Sequence, residues 1–418
     1  MADIDWPRWL RPGDQVVCAH MSAEPVALLA SMARCTHLPQ PLHLLLGVPF
    51  SRAAADLPAG CLLSTYGGMG SAGGLARERE VVISSLAYSR SERVYQAGLA
   101  HCDVALVSLG RRSDGRLFMA PSHGPVLEAA RQARYVIAQL SPHVPCVPGS
   151  EWPAELAPVA VLETEDGPWP LRDAEPGEVE RRIAGLIAGL VPDCACLQVG
   201  IGALPSAVLD ALASHRHLGV HTGMLSDGLW RLIEKGAVDH SRKTRDPGVA
   251  VTGCVCGSAR LYAAVDGYAG ILIREPGYTH DLAVIAAQSA MVCLNSALEV
   301  DLLGNANAET VIGPDGAWRW VGGVGGLPDF TRGALLAPGG QAVLALASRS
   351  SQQAPRIVAR LSGPTTLAAS DADLVVTEHG VARLRDASMR QRAQRMIAVA
   401  HPQDRDALTA QARALGLL

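Results

Sequence analysis

A chain of 418 residues exceeds one ordinary core and predicts two domains of roughly 200 residues each. Its 49% apolar and 18% charged residues exclude a disordered chain, and a net charge of −4 gives no electrostatic reason to expect a nucleic-acid partner. Every apolar run is interrupted well short of about 18 residues and the acidic N-terminus lacks the apolar core of a secretion signal, so no membrane partner and a cytoplasmic location are expected. With only 4% aromatics, the cores must be built from Ala, Val, Leu and Ile. Ten cysteines include Cys194/Cys196 and Cys254/Cys256, whose Cys-x-Cys spacing is not that of a zinc site. They read as small core residues in a reducing compartment, and no metal is expected.

Taken in order, residues 13–20 predict a turn and a strand that delivers His20 at its end, with a helix from Pro25 to about Ala33 and a second strand over His43–Val48. Tyr66-Gly-Gly-Met-Gly-Ser-Ala-Gly-Gly predicts a flexible loop. A strand over Cys102–Gly110, a helix over Val126–Ala133 and a strand over Tyr135–Leu140 continue the alternation that argues for a parallel α/β domain. From about residue 147 to 178 the chain is rich in Pro, Gly and acids, which predicts an interdomain linker and hence domains of 1–178 and 179–418.

A helix over Glu178–Leu190 leads into the most informative stretch, Leu197–Gly228. Here a short apolar strand breaks at Gly200 and Gly202, a helix opens at Pro205, and a second apolar run, Leu218–Val220, stops at His221. Parallel sheets bind ligands outside the carboxyl ends of their strands, so the residues after Val220, Gly223 among them, are the first place to look for chemistry. Further strands are expected near 269–273, 290–294, 341–348 and 372–377, with an arginine-rich helical end from about Ser388. Asn295–Asp301 reads as one extended segment with Asn295, Ala297, Glu299 and Asp301 on one face.

The motifs Gln-x-Gly-Ile-Gly-x-x-Pro-x-Ala-Val, Leu-Gly-x-His-Thr-x-Met-x-Ser-Asp-Gly, Asn-Ser-Ala-Leu-Glu-Val-Asp-Leu, Gly-Val-Gly-Gly-x-x-Asp-Phe, Val-Thr-Glu-His-Gly-Val-Ala and Ala-His-Pro follow one another over Leu197–Pro402. In this set and order the chain resembles the acetyl-CoA hydrolase/transferase family, which contains the 4-hydroxybutyrate and succinyl/acetate-type CoA-transferases. The resemblance implies an α/β protein with two parallel-sheet domains of the CoA-transferase fold and the active site between them. It also implies a coenzyme A thioester as substrate with no tightly bound cofactor, a small-molecule acceptor, and a homodimer. Such enzymes attack the thioester with a glutamate carboxylate and pass through a glutamyl-CoA thioester, which keeps the acyl group activated.

The family's motif places that glutamate directly after His-Thr, and here the position is Gly223. Three readings follow. A nucleophile such as water attacks the thioester directly, with backbone N–H groups holding the oxyanion; another carboxylate, Glu299, takes the glutamate's place; or the chain binds acyl-CoA without catalysis. The expected catalytic set is His221, as general base, with Gly223, Asn295, which matches a position implicated in oxyanion stabilisation, and Glu299. The expected substrate and CoA-binding set is His20, Gln198, Gly200, Gly202, Gly322, Gly323, Gly325 and Gly326. Each has a plainer alternative: His20 and His221 as satisfied structural histidines, Glu299 and Asp301 as hydrogen-bonded scaffold, Ser226 as a helix cap. Asn is common in the family where His280 stands after Tyr278-Thr279, which together with Gly223 implies a remodelled pocket.

Overall fold

Near-continuous apolar runs make strands that are buried on both faces, the mark of a parallel sheet covered by helices. The longest of them, Val104–Arg111, is buried at every position but the last. In the computed structural model, which describes residues 3–172 and 174–418, such runs build two units. The first takes the chain up to Arg172 together with Val251–Thr279, and the second takes the chain up to Ala250 and from His280 to Leu418.

The first unit contains β1 (Gln15–Cys18), β2 (Leu42–Gly47), β3 (Cys61–Thr65), β4 (Val81–Ile83), β5 (Val104–Arg111), β6 (Leu117–Met119), β7 (Tyr135–Leu140) and β8 (Ala160–Glu163). Its sheet runs β4-β3-β2-β1-β5-β7-β8 with all strands parallel, and β6 pairs antiparallel with β5. The two-residue period of β1 divides its side chains between two cores. Val16 and Cys18 pack with Leu28, Leu29 and Met32 of the helix Val26–Arg34, while Val17 and Ala19 pack with Val126 and Ala129 of the helix Val126–Gln132.

The second unit begins with the helix Glu178–Ala188 and contains β9 (Cys196–Val199) and β10 (Gly219–Leu225). The strands β11 (Ala250–Val255, from Val251 on) and β12 (Ile271–Ile273) belong to the first unit. The second unit resumes with β13 (Met291–Ser296), β14 (Glu299–Asp301), β15 (Ala306–Asn307), β16 (Thr310–Ile312), β17 (Trp318–Trp320), β18 (Gln341–Ala345), β19 (Ile357–Val358), β20 (Leu374–Thr377) and β21 (Gly380–Arg383). Its own main sheet is ordered β10-β9-β13-β18-β20-β21, parallel except for β21. A small sheet β15-β14-β19 and a hairpin of β16 and β17 complete it. The chain leaves β9 for β10 on one side and later returns to β13 on the other. The carboxyl ends of β9 and β13 are therefore a topological switch point, where such sheets open a crevice.

Several expectations are corrected. The proline-rich stretch 147–178 is not only a linker: it supplies β8, which extends the first sheet beside β7. The glycine run after Tyr66 is no free loop, because Tyr66–Gly68 are buried and a helix, Ala72–Glu78, starts inside it. β10 does not stop at His221; it runs on to Leu225, so Gly223 lies within a strand. Asn295–Asp301 is not one extended face, since Asn295 and Ser296 close β13 of the main sheet and Glu299–Asp301 form β14 of the small one. β11 has no counterpart among the expected strands, and the segment it opens groups with the first unit instead of the second.

Leu106, fully buried in β5, joins the core under the helix Val26–Arg34. Leu106→Ala is expected to lower the unfolding free energy by about 2–5 kcal/mol, read from urea denaturation.

Candidate active site

At the switch point, β9 and β13 are tied by a reciprocal amide pair. Gln198 Nε2 donates to Asn295 Oδ1 at 3.3 Å, and Asn295 Nδ2 donates to Gln198 Oε1 at 3.0 Å. β9 then ends at Val199, and Gly200 follows it. A Cβ on Gly200 would meet nothing within 4 Å, and one on Gly202, at φ +118, would meet only the ring of Pro205 at 4.0 Å. Gly202 is the N-cap of the helix Ala203–Ala211, so unobstructed backbone lies at a helix N-terminus.

One strand over, β10 carries His221 and Thr222, both buried, and then Gly223, which is partly exposed. The volume beside Gly223 belongs to His280. A Cβ built on Gly223 would lie 3.0 Å from His280 Nε2 and 3.1 Å from its Cε1. The same ring lies against Gly326, whose Cβ would come within 2.7 Å of Cδ2 and 2.8 Å of Nε2. Phe330 closes the slot, its ring edge-on to His280 at 4.8 Å between centroids, with His221 farther off at 6.4 Å.

Local structure explains why His280 is held there. The next residue, Asp281, caps the helix Leu282–Ala286, its Oδ1 accepting from the N–H groups of Ala283 and Val284. Ile285 of that helix packs so closely on Gly333 of the helix Leu327–Leu336 that no side chain fits at 333. Phe330 belongs to this second helix, and its N–H donates to Gly326 O at 2.9 Å. Burial, reinforced by the neighbouring His221, pushes the His280 imidazole down to about 3, so the ring is neutral at any ordinary pH.

The glycine loop divides by role. Gly322 is required by the fold, since a Cβ there would overlap the carbonyl of Ala308. Gly325, at φ +52, has open space where a Cβ would stand, as a ligand-facing backbone needs. Gly326 is glycine because of His280, and Gly323 is partly exposed in the same loop.

Glu299, expected in the catalytic set, and its neighbour Asp301 are hydrogen-bonded within the fold. The Glu299 carboxylate accepts from Asn307 Nδ2 (3.0 Å), from the N–H (2.8 Å) and hydroxyl (2.9 Å) of Ser362 and from the N–H of Gly363 (3.1 Å). Asp301 Oδ1 accepts from the N–H groups of Leu303, Gly304 and Asn305, which makes it a turn carboxylate. His20 is a core residue of the first unit, its ring caged by the backbones of Gly47 and Gly124 and its Nε2 2.8 Å from the Tyr88 hydroxyl. Burial lowers its imidazole to about 4. Ser226 caps its helix by position alone, with no side-chain bond to the first turn. No group of three or more His, Cys, Asp or Glu able to hold a metal occurs among the described residues, and no helix among them is long and apolar enough to cross a membrane.

The contact that sequence reading misses is the one joining Gly223, His280 and Gly326, which are far apart in the chain. No local pattern around His280 says which backbone atoms its ring touches.

Glu299→Gln presents an amide N–H₂ to a nest of donors, so a loss of about 1–3 kcal/mol in stability is expected from urea unfolding. For His280 the sign with pH is fixed. Above pH 6.5 both folded and unfolded states are neutral, so the group contributes nothing. As pH falls from 6.5 toward about 3 the unfolded chain takes a proton that the folded ring refuses, and stability drops by up to about 1.4 kcal/mol per pH unit. His280→Asn is therefore expected to flatten the acid limb of the stability profile relative to the parent, measured by thermal melts from pH 7 to 4.

The model of the acetyl-CoA hydrolase/transferase C-terminal domain matches residues 257–412. The 4-hydroxybutyrate coenzyme A transferase of Clostridium kluyveri is 33% identical over 310 residues, covering 73% of this chain and 71% of that one. Among solved structures, RipA from Yersinia pestis superposes with a TM-score of 0.89 at 28% identity, over 98% of this chain and 96% of the other. The 4-hydroxybutyrate CoA-transferase of Porphyromonas gingivalis superposes with a TM-score of 0.81 at 30% identity, over 98% and 95%. With these relatives and two parallel α/β units of the CoA-transferase kind, the chain belongs to the acetyl-CoA hydrolase/transferase family and is an acyl-CoA transferase/hydrolase-like enzyme.

Proposed function

We propose that this enzyme transfers or hydrolyses the acyl group of an acyl-CoA by direct attack on the thioester, without a glutamyl-CoA intermediate. The observation that carries the reading is at Gly223: no carboxylate stands there, and the space beside its Cα holds the neutral ring of His280. In one step the oxygen or nitrogen of the acceptor bonds to the thioester carbon and the C–S bond breaks. CoA leaves as the thiol, carrying the proton that the acceptor loses. The protein itself gains and loses no covalent bond.

Its residues act by position and polarity. Gly325, open at its Cα, and the backbone after β9 at Gly200–Gly202 are the surfaces proposed to lie against the thioester and its pantetheine. The Gln198–Asn295 pair would present an amide N–H to the carbonyl oxygen as it gains charge, and donors placed for that charge are worth about 3–4 kcal/mol in acyl transfer. Glu299 is disfavoured as a substitute nucleophile because its carboxylate is occupied by Asn307, Ser362 and Gly363. A carboxylate so held would have to give up these bonds before attacking.

The test is intact-protein mass spectrometry and thiol release over a panel of acyl-CoAs. CoA release with no mass added to the protein is the expected result. A CoA adduct on any carboxylate would overturn the direct route, and CoA binding without turnover would assign a non-catalytic binding role instead.

A further inference from the structure

We infer that His280 determines the route of reaction in this enzyme: its ring fills the volume that a side chain at position 223 needs, so the covalent route is closed by packing as well as by the missing carboxylate. The functional half of this inference rests on the reading that acyl-CoA binds beside Gly223; the packing half does not.

The ring stands in a slot bounded by two backbones. On one side the Cα of Gly223 leaves room for a Cβ only 3.0 Å from Nε2, closer than neighbouring atoms ordinarily tolerate. On the other, a Cβ on Gly326 would sit 2.7 Å from Cδ2, so that side has no slack. Phe330, 1% exposed, forms the end of the slot; its Cε2 would also stand 3.6 Å from a Cβ at 223. Retreat of the ring in that direction would have to displace Phe330, which shares one buried cluster with Ile285, Cys293 and Ala334. Protein interiors resist such displacement because they are packed as densely as crystals. A methyl group at 223 asks the ring for a few tenths of an ångström, whereas a carboxylate chain aimed along the same direction asks for the ring's own volume.

The slot therefore behaves as a choice between two occupants, an imidazole from 280 or a side chain from 223. Shrinking the first should make room for the second. With both Gly223→Glu and His280→Ala in place, a carboxylate oxygen can bond to the thioester carbon as the C–S bond breaks and CoA leaves as thiolate. That thiolate then attacks the resulting anhydride at the glutamyl carbonyl, releasing the acyl carboxylate and leaving CoA on the protein.

The experiment uses the parent, Gly223→Glu, His280→Ala and the double variant, with His280→Asn as a milder truncation should alanine prevent folding. Urea unfolding without ligand reads the packing. Gly223→Glu is expected to lower the folding equilibrium constant about tenfold more in the parent than beside the truncated 280, as side chains that compete for one space do. Additive effects would overturn the inference. Intact mass after incubation with acetyl-CoA reads the chemistry: a CoA adduct should form in the double variant at least tenfold faster than in Gly223→Glu alone. Equal rates in the two, or no adduct in a double variant that still binds CoA, would overturn it. Failure of the parent to bind CoA would instead overturn the functional reading above, and the unfolding cycle would then decide the packing claim by itself.

Discussion

One imidazole lies between two backbones that have no side chains to spare, and the rest of the candidate site is arranged around that fit. The Asp281 cap starts a short helix in the register that puts His280 just before it. Gly333 lets that helix approach the helix Leu327–Leu336, which brings Phe330 edge-on to the ring. Gly326 begins the same helix and admits the ring's other edge. Each of these choices is a small local preference, but they act on one shared volume, so none of the residues can be understood alone.

Electrostatics follows from the same burial. Burial disfavours charge in this slot, and the His280 imidazole stays neutral. The acids of the neighbouring motif are buried in a different way: the oxygens of Glu299 and Asp301 gather backbone and side-chain donors. They fasten β14 to the segment at Ser362 and shape the turn that follows it, which is architectural work. The glycine loop divides likewise, with Gly322 serving a backbone crossing and Gly325 opening onto space.

Much of this was legible in the residues. The parallel alternation, most strands, and the places of Gly200 just past β9 and Asn295 near the end of β13 all follow from apolar runs that stop at glycines or polar residues. What escaped has identifiable causes. β8 hides in a stretch whose prolines and acids read as linker, because an edge strand needs only a few alternating positions. The run Asn295–Asp301 looks continuous, yet two residues without strand structure send its halves to different sheets. His20 resembles a ligand-facing histidine by position, and only the glycines around it, from distant parts of the chain, make it a core residue. The slot at His280 is of the same kind: a tertiary coincidence of three separate segments that no window of sequence contains.

The amide pair across the switch point has its own consequence. An amide nitrogen carries two hydrogens, and in Asn295 one of them is already spent on Gln198. Whatever oxygen meets this side chain can receive a single hydrogen bond, along a direction fixed by the neighbouring strand. The pair thus works like a set square, trading one donor for a fixed bearing on the other.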